Sequence, residues 1–509
     1  MPTFLQSVHS TQGAFKTILS STKDSLIVVP VLQSGENPKE PQPIISSELT
    51  DIEAIIGFSI SDFFTSEDFK AAAHSSLYLG NPTLQNAFLF VGCGPKERLR
   101  NYRLHTSFAK ALSGIKRKSV DTIIATVNPI ANDNTNTAFQ AALQLACAAG
   151  DLCYASREAK EPGRSVQKLT IHSTAELTDF DSFAIATARA RGIAMDLVNE
   201  PANSKRTDTL VNEAKRLAAL GLQVEITDDI NWIQKEMPCF YEVGRGSLAS
   251  DPPKWIRVNY TPKTEIKKKI AIVGKSVIFD TGGYQVKPDP YMNTMKADMT
   301  GGATALAVIE AVAALQLPNL QVTAYLAATP NKIDSDAMLP DSIVNTSSGK
   351  KVEIRHTDAE GRLTLIDAVH QAEKTEPDLM FTIATLTGSA ARAVGPRTAL
   401  MATDTTWRDE FAKAMERHGD SCQTLDIVEE DFDDIKSKLD GADINNTGHE
   451  KYRGAQTAAS FIFSGLTNPK RPLLHLDVAG GDMTQEEKAT GIAVRGFIGF
   501  LRELSENPE

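Results

Sequence analysis

Cysteine is scarce in this chain, which has 509 residues and only five cysteines. The five are Cys93, Cys147, Cys153, Cys239 and Cys422. Their number is odd, their spacing is wide and no CxxC pair occurs, which argues against a disulfide framework and favours a reducing compartment. Cys147 and Cys153 lie in an apolar helical stretch, and we expect both to be core residues.

Basic residues are outnumbered, because Lys and Arg total 53 against 64 Asp and Glu, a net charge of −11. Phosphate binding needs clustered Lys and Arg, so this balance argues against nucleic acid as the main partner. The N-terminal residues show no basic segment followed by an apolar one, and no apolar run approaches about 18 residues. We therefore expect a cytoplasmic protein without an export signal or a membrane span.

Short apolar runs alternate with helical patterns along the chain, and this alternation predicts an α/β fold. Buried strands are predicted at 25–32, 86–94, 121–127, 168–173, 270–280, 321–329, 378–388 and 472–480. Helices are predicted at 138–159, 180–197 and 303–316. The four later strands are continuous apolar runs, which are typical of a sheet covered by helices on both faces.

A polar stretch with Pro and Gly at 158–167 separates the two blocks of elements. Such a stretch commonly ends an element or links two domains. We predict an N-terminal α/β domain at 1–165, a linker at 166–177 and a second domain at 178–509.

The segment 273–288 places polar residues in and directly after a predicted strand. Lys275 lies within an otherwise apolar run, Asp280 ends that run, and two glycines allow a tight turn before Lys287. One interpretation is a strand and a turn whose two lysines reach water. The other interpretation makes Lys275 and Asp280 inward-facing ligands.

Two further segments carry carboxylates next to predicted helices. Asp298 precedes two glycines and a helix, where an isolated Asp is most often an N-terminal cap. Asp358 and Glu360 point the same way if their segment is extended, and Arg362 follows them. These last three residues would otherwise form a salt-bridge group at the surface.

Four carboxylates gathered in one cleft would repel one another. A pair of like charges about 4 Å apart costs on the order of 4 kcal/mol at an effective dielectric constant near 20. Two divalent cations would balance the four negative charges, and a neutral lysine amine as a fifth ligand would leave that balance intact. Oxygen-rich ligand sets of this kind suit Mg²⁺, Mn²⁺, Zn²⁺ or Co²⁺. The spacing alone does not establish that the three segments converge.

The most specific motif is the octapeptide HTDAEGRL at 356–363. Together with VGK, FD and GG in the segment 273–288, it resembles the leucyl aminopeptidase family of dinuclear metallopeptidases. Weaker likenesses are NEPAN at 199–203, VGRGS at 243–247, TLTG at 385–388 and HLDVAG at 475–480. The resemblance covers about 178–503, and the first third of the chain matches no motif.

This resemblance implies a fold and an activity. The fold would comprise an N-terminal macro-like α/β domain and a C-terminal α/β/α catalytic domain with a central mixed sheet. The activity would be hydrolysis of the N-terminal residue, with Leu and other apolar residues preferred, from peptides with a free N-terminus. The family further implies a cytoplasmic homohexamer.

The resemblance also assigns metal ligands residue by residue. Asp280 and Glu360 would bridge two divalent ions, Mn²⁺ or Zn²⁺, with Co²⁺ and Mg²⁺ as alternatives. Lys275 and Asp298 would complete the tighter of the two sites. Asp358 would complete the more exchangeable site.

Catalytic and substrate-binding roles follow from the same resemblance. Lys287 would stay charged and polarise the scissile carbonyl, and Arg362 would hold bicarbonate near the attacking water. Asp298 would also receive the substrate's free amine. The pocket for the substrate side chain would be lined by Met295, Thr385, Leu386 and Gly388.

The sequence departs from the family pattern at a few positions that are not ligands. His356 stands in the place of Asn, Thr281 replaces a common Ser, and Tyr284 and Gln285 replace a smaller, apolar pair. His356 would be either a packed or hydrogen-bonded side chain or an extra ligand.

Two other functions stay open at this point. One is a non-catalytic member of the family that binds nucleic acid, against which the net acidity counts. The other is a different dinuclear hydrolase, such as a phosphatase or a carboxypeptidase. The sequence contains neither an HExxH motif nor a phosphate-cradling Gly-Lys loop, which counts against this second alternative.

Overall fold

The computed structural model describes residues 5–34, 41–80, 84–115, 121–131, 134–154 and 166–508. The chain divides into two compact units, residues 1–192 with 416–420 and residues 193–415 with 421–509. The C-terminal end of the helix predicted at 138–159 and most of the polar stretch 158–167 lie outside the described residues. The predicted linker 166–177 includes a strand, and the three domain boundaries stay a prediction.

The first unit is built on a six-stranded sheet. Its strands are β1 (Ser7–Thr11), β2 (Leu26–Gln33), β3 (Ser76–Leu79), β4 (Ala87–Pro95), β5 (Thr122–Thr126) and β6 (Lys168–His172). Its helices are α1 (Phe15–Ser20), α2 (Ser47–Ile56), α3 (Ile60–Ser66), α4 (Asn101–Ser113), α5 (Asn128–Ala131) and α6 (Thr135–Cys153). The strand order is β1-β6-β5-β2-β4-β3, and neighbours are parallel except for β3 against β4.

Apolar side chains on one face of this sheet form a core with the neighbouring helices. Ile27 and Val29 of β2 and Phe88 and Phe90 of β4 alternate along their strands and pack with Phe64 of α3. The alternation follows from the two-residue period of a strand. Cys147 and Cys153 of α6 are buried, as predicted.

The helix α7 (Phe180–Asn199) begins in the first unit and ends in the second. The strands of the second unit are β7 (Gln223–Thr227), β8 (Lys254–Tyr260), β9 (Lys268–Asp280), β10 (Leu320–Asn331), β11 (Ile343–Asn345), β12 (Lys351–Glu353), β13 (Leu379–Ala384), β14 (Thr398–Ala402), β15 (Cys422–Thr424), β16 (Ile444–Asn445) and β17 (Leu473–Asp477). Its helices are α8 (Thr207–Ala218), α9 (Ile230–Glu236), α10 (Pro238–Gly244), α11 (Thr300–Leu315), α12 (Gly361–Glu373), α13 (Gly388–Val394), α14 (Thr405–Arg417), α15 (Glu429–Asp434), α16 (Gly454–Phe463) and α17 (Val494–Glu506).

An eight-stranded mixed sheet forms the centre of the second unit. Its order is β15-β14-β17-β13-β9-β10-β8-β7. The four strands in the middle, β17, β13, β9 and β10, are parallel, and antiparallel pairings flank them. Ligand sites in such sheets gather at the carboxyl ends of parallel strands. A separate, small sheet has three strands in the order β11-β12-β16.

Helices cover both faces of strand β9. A Cβ at Gly274 would collide with the backbone of Gly301 and Gly302 in α11, whereas the side chain of Lys275 contacts Gly361 at the start of α12. Consecutive strand residues point to opposite faces, so α11 and α12 lie on opposite sides of the sheet. The predicted α/β class with a central mixed sheet is confirmed.

The stretch Met295–Leu315, which includes α11, has the length and mean hydropathy (1.3) of a membrane span. This stretch of 21 residues is longer than any apolar run identified from the sequence alone. However, 83% of its most apolar window is buried inside the protein, as in the core helix of a soluble fold.

Candidate metal centre

Strand β9 delivers a buried lysine to the carboxyl end of the central sheet. Nζ of Lys275 lies 2.6 Å from Oδ1 of Asp298 and 3.0 Å from Oε1 of Glu360. The same Nζ donates a hydrogen bond to the carbonyl oxygen of Thr385 at 2.9 Å. Residue 361 has to be small here, since a Cβ at Gly361 would collide with this lysine. The alternative in which Lys275 reaches water is therefore wrong.

The turn after β9 brings a second lysine to the same place. Gly282 and Gly283 have φ values of +88° and +67°, a left-handed conformation that favours glycine. After this turn, Nζ of Lys287 lies 2.7 Å from Oδ2 of Asp280 and 2.5 Å from Oδ1 of Asp358. Each lysine is thus paired with two of the four predicted carboxylates.

Three carboxylates converge directly. Asp280, Asp358 and Glu360 each place one oxygen within 4.8 Å of the other two. Thr357 and Asp358 form a turn, and Glu360 already has helical dihedral angles of φ −75° and ψ −37°. The extended backbone considered for this segment is therefore wrong, and Asp358 and Glu360 meet because the chain turns between them.

Asp298 belongs to this cluster and does not cap a helix. Helix α11 has Met299 as its N-cap residue and no side-chain capping bond, so the cap interpretation of Asp298 is wrong. Oδ1 of Asp298 accepts hydrogen bonds from Lys275 and from Oγ1 of Thr385 at 2.6 and 2.9 Å. Its Oδ2 is buried without a hydrogen-bond partner among the described residues. A buried oxygen in this state is costly, which leaves it available to a cation or to a ligand's donor.

The crowding of charges changes protonation in the cluster. Burial disfavours the charged form of Lys275, but Asp298 and its neighbours outweigh this effect and raise the pKa of the lysine. At Lys287, burial likewise disfavours the charged form, but the charge of Asp280 outweighs this effect. The pKa of Lys287 is therefore also raised. Burial raises the pKa of Asp358 to about 7, and the charge of Asp280 adds to the effect. Burial also raises the pKa of Asp298, against the opposing charge of Lys275.

This donor set fits divalent cations. It combines four carboxylates with two lysines, and as ammonium groups these lysines balance only half of the negative charge. The free Oδ2 of Asp298 offers a further oxygen to a cation. Hard divalent ions prefer oxygen ligands and relieve the repulsion between clustered carboxylates.

Asn331, which no sequence motif indicates, orients the cluster. Asn331 ends strand β10 and is buried, and its Nδ2 donates to Oδ1 of Asp280 at 2.8 Å and to the carbonyl of Thr357 at 3.1 Å. Oγ1 of Thr357 in turn donates to the carbonyl of Gly282. The only sequence signal for Asn331 was a polar residue at the end of an apolar strand.

Arg362 lies in the first turn of α12 and is buried. Its Nε and Nη1 have no hydrogen-bond partner in the described part of the chain. Burial lowers the pKa of Arg362 to about 10, against the charges of Glu360 and Asp477. Burial and the charge of Arg362 also lower the pKa of His475 to about 3, so this histidine is neutral. The unsatisfied guanidinium fits a small anion.

A cavity of about 780 Å³ opens onto the cluster. All five predicted metal ligands, together with Lys287 and Arg362, line it. The predicted pocket residues also line it, namely Met295, Thr385, Leu386 and Gly388. The structure thus brings all the predicted site residues together, while their individual roles stay predictions.

The departures from the family pattern lie outside the lining of this cavity, as far as the structure describes the chain. Nδ1 of His356 accepts a hydrogen bond from the backbone N–H of Asp358 at 3.2 Å, and burial lowers its pKa. The hydroxyl of Tyr284 donates to the carbonyl of Asp334 at 2.7 Å. Gln285 accepts from the N–H of Thr357 through its side chain at 2.7 Å. These residues support the turns that carry the ligands.

Two family models match the sequence. One, described as cytosol aminopeptidase family, catalytic domain, covers residues 192–498. The other, described as cytosol aminopeptidase family, N-terminal domain, covers residues 28–162. A probable cytosol aminopeptidase from Microcystis aeruginosa is 32% identical in an alignment of 475 positions that covers 90% of this chain and 94% of that relative.

Solved structures share the fold. The bottromycin maturation enzyme BotP in complex with Mn is similar with a TM-score of 0.80 and 25% identity, covering 95% of this chain and 100% of that one. A mutant of tomato leucine aminopeptidase is similar with a TM-score of 0.86 and 24% identity, covering 98% of this chain and 97% of that one. The second likeness shows the fold alone.

Proposed function

The chain belongs to the cytosol aminopeptidase family, and from this membership we propose how its site cleaves peptides. Membership makes the protein a metal-dependent aminopeptidase, a hydrolase that removes residues from the N-terminal ends of peptides. We add two finer statements. Two divalent cations act together in the cavity, and Leu and other apolar N-terminal residues are preferred.

The observation that carries the two-metal proposal is the convergence of four carboxylates and a lysine at one end of the central sheet. We assign Asp280 and Glu360 as the bridging ligands from the family resemblance, and the charges of both carboxylates act on both lysines. Lys275 and Asp298 would complete one site, and Asp358 would complete the other. Mn²⁺ or Zn²⁺ is our first choice of ion, and Co²⁺ and Mg²⁺ suit the same oxygen-rich set.

The bound cations would supply a water of lowered pKa, from about 15.7 towards 7, and Lewis acidity for the peptide carbonyl. Lys275 has to release its proton to serve as a ligand. Lys287 keeps its proton and donates a hydrogen bond to the carbonyl oxygen as negative charge develops there. Nε and Nη1 of Arg362, which have no hydrogen-bond partner among the described residues, would hold a small anion, bicarbonate in this proposal, which would serve as the base for the attacking water.

The preference for N-terminal residues is assigned to Asp298. Its Oδ2 is buried and has no hydrogen-bond partner in the described structure, so it can receive the substrate's free amine. A blocked amine loses this contact. Met295 and Leu386 give the cavity an apolar wall for the side chain of the first residue, which supports the preference for Leu.

Location and assembly are also part of the proposal. Relatives named as cytosol aminopeptidases support a cytoplasmic location. A homohexamer is carried over from the family resemblance. Sedimentation velocity of the purified protein measures the assembly directly, and a monomer at all concentrations would refute the hexamer.

Hydrolysis of leucine p-nitroanilide tests the activity. We expect a chelator to abolish the rate and Mn²⁺, Zn²⁺ or Co²⁺ to restore it. The N-acetylated substrate should be cleaved at least about 100-fold more slowly, because it lacks the free amine that Asp298 binds. Equal rates on the free and the acetylated substrate would contradict the aminopeptidase mechanism.

A further inference from the structure

The loop that follows β17 places a carboxylate in the cavity wall. Asp482 lines the cavity together with Met295 and Thr385, which belong to the proposed side-chain pocket. Ala479 and Met483 of the same loop are also in the wall. The chemistry proposed above gives Asp482 no role, since it is neither a metal ligand nor a donor to the substrate carbonyl.

The backbone holds this loop in one position. A Cβ at Gly480 would collide with the carbonyl of Gly395, so the loop packs directly against the neighbouring backbone. The N–H and the hydroxyl of Thr490 both donate to the carbonyl of Asp482, at 3.0 and 3.2 Å. Asp482 therefore lies in a loop whose backbone is fixed by these contacts.

Among the residues that the structure describes, no Lys, Arg or His forms an ion pair with the carboxylate of Asp482. Burial raises the pKa of Asp482 to about 7, and the charge of Asp477 raises it further. Hydrogen bonds from the backbone N–H groups of Asp482 and Met483, and the charge of Lys275, oppose this rise. A partly buried carboxylate without an ion-pair partner is unfavourable, and a cation that enters the cavity relieves this cost.

We propose, building on the function proposed above, that Asp482 binds the terminal cation of an N-terminal Lys or Arg. The enzyme would then cleave peptides that begin with long basic residues as well as those that begin with Leu. Lys and Arg combine an aliphatic stem with a charged end. The stem would pack on Met295 while the charged end forms a charge-assisted hydrogen bond with Asp482.

Two different carboxylates bind the two cations of such a substrate, the α-amine and the end of the side chain. Asp298 has a free Oδ2 at the metal cluster and receives the α-amine in the proposed function. Asp482 lies on a different segment of the wall of the same cavity, and so it meets a second cation. If Asp482 bound the α-amine instead, its removal would weaken every substrate equally, which the following experiment detects.

The experiment compares lysine and norleucine p-nitroanilides, whose side-chain stems have equal length but only one of which is charged. We expect the unaltered enzyme to cleave the lysine substrate with a kcat/KM at least equal to that of norleucine. In Asp482→Asn, the ratio of lysine to norleucine should fall about tenfold or more, while leucine changes less than about twofold. Glu486→Gln removes an exposed carboxylate from the same loop and should leave all rates unchanged.

Other outcomes overturn the proposal. If the unaltered enzyme cleaves the norleucine substrate far better than the lysine substrate, the proposal is refuted without any variant. The proposal therefore stays testable even if Asp482→Asn misfolds. An unchanged ratio in a folded Asp482→Asn, or an equal loss for all three substrates, also refutes it. Cleavage of leucine without cleavage of lysine would sink this inference alone, whereas no cleavage of any substrate would overturn the proposed function as well.

Discussion

Nζ of Lys287 lies 2.5 Å from Oδ1 of Asp358, so the proposed carbonyl donor contacts a proposed metal ligand directly. Lys287 also lies 2.7 Å from Asp280, the proposed bridging ligand. A single cationic side chain therefore spans the two parts of the site that the mechanism separates, metal binding and charge stabilisation. Variants at Lys287 and Asp358 separate the two roles.

Lys287→Ala should leave the metal content nearly unchanged and lower kcat about 100- to 1000-fold, because one donor to the developing negative charge is lost. Elemental analysis of the purified variant and steady-state rates on leucine p-nitroanilide measure both quantities. Lys287→Arg keeps the positive charge and should retain more of the rate. Loss of metal from Lys287→Ala would place Lys287 among the ligands.

Asp358→Ala and Glu360→Ala should each abolish metal-dependent activity while leaving most of the fold intact, since the turn that carries them is also held by hydrogen bonds of Thr357. We expect kcat/KM to fall at least about 100-fold. Circular dichroism checks the fold, and Asp336→Ala, which removes an exposed carboxylate, is the matched control. Full activity in either ligand variant would refute the ligand assignment.

Asn331→Ala should weaken metal binding about 10- to 100-fold, because outer-shell hydrogen bonds orient the ligands. The amide of Asn331 holds Asp280 and the carbonyl of Thr357 together. Activity titrated against Mn²⁺ should shift to higher concentration, with much of kcat recovered at saturation. A fall in kcat that no metal concentration reverses would argue against a purely orienting role.

Lys205 should make stability depend on pH. It is buried, its Nζ donates to the carbonyls of Val198 and Lys296 at 2.9 and 2.7 Å, and burial lowers its pKa from 10.5 to about 7. The charge of Glu200 opposes this shift and that of Lys296 adds to it. Between these two pKa values the unfolded chain binds more protons than the native state, so the free energy of unfolding rises with pH. The contribution of Lys205 therefore declines as pH falls below about 10.5 and is fully lost below about 7.

Urea unfolding at pH 7 and at pH 9 measures this effect. The increase in the free energy of unfolding between the two pH values should be smaller in Lys205→Met, which cannot titrate. Other groups titrate in both proteins and cancel in the comparison. The same increase in both proteins would show that Lys205 is not the source.

Much of the fold could be predicted from local sequence, because a strand buried on both faces needs a continuous apolar run. The runs at 270–280 and 321–329 became β9 and β10 with small changes at the ends. The octapeptide with Asp358, Glu360 and Arg362 is identified by its resemblance to a family. Neither the composition nor the hydrophobic periodicity of the chain indicates this motif. Family membership is confirmed by the matches to both halves of the chain.

The backbone around the ligands was harder to predict. Asp298 looked like a helix cap because an Asp before a helix usually is one, yet its oxygens pair with Lys275 and Thr385 instead. Asp358 and Glu360 were considered on an extended segment, and the chain turns there. Local rules failed because contacts from other strands stabilise conformations that the isolated segments do not favour.

The order of apolar and polar residues alone determined that this chain builds an α/β protein, and the motifs at 273–288 and 356–363 indicated the family and its candidate metal ligands. Only the tertiary structure decided that Lys275, Asp298 and Glu360 meet, that Asn331 holds Asp280, and that Asp482 enters the cavity. The reason is that the order of strands in a sheet brings together residues far apart along the chain, and spacing in the sequence carries no record of that order.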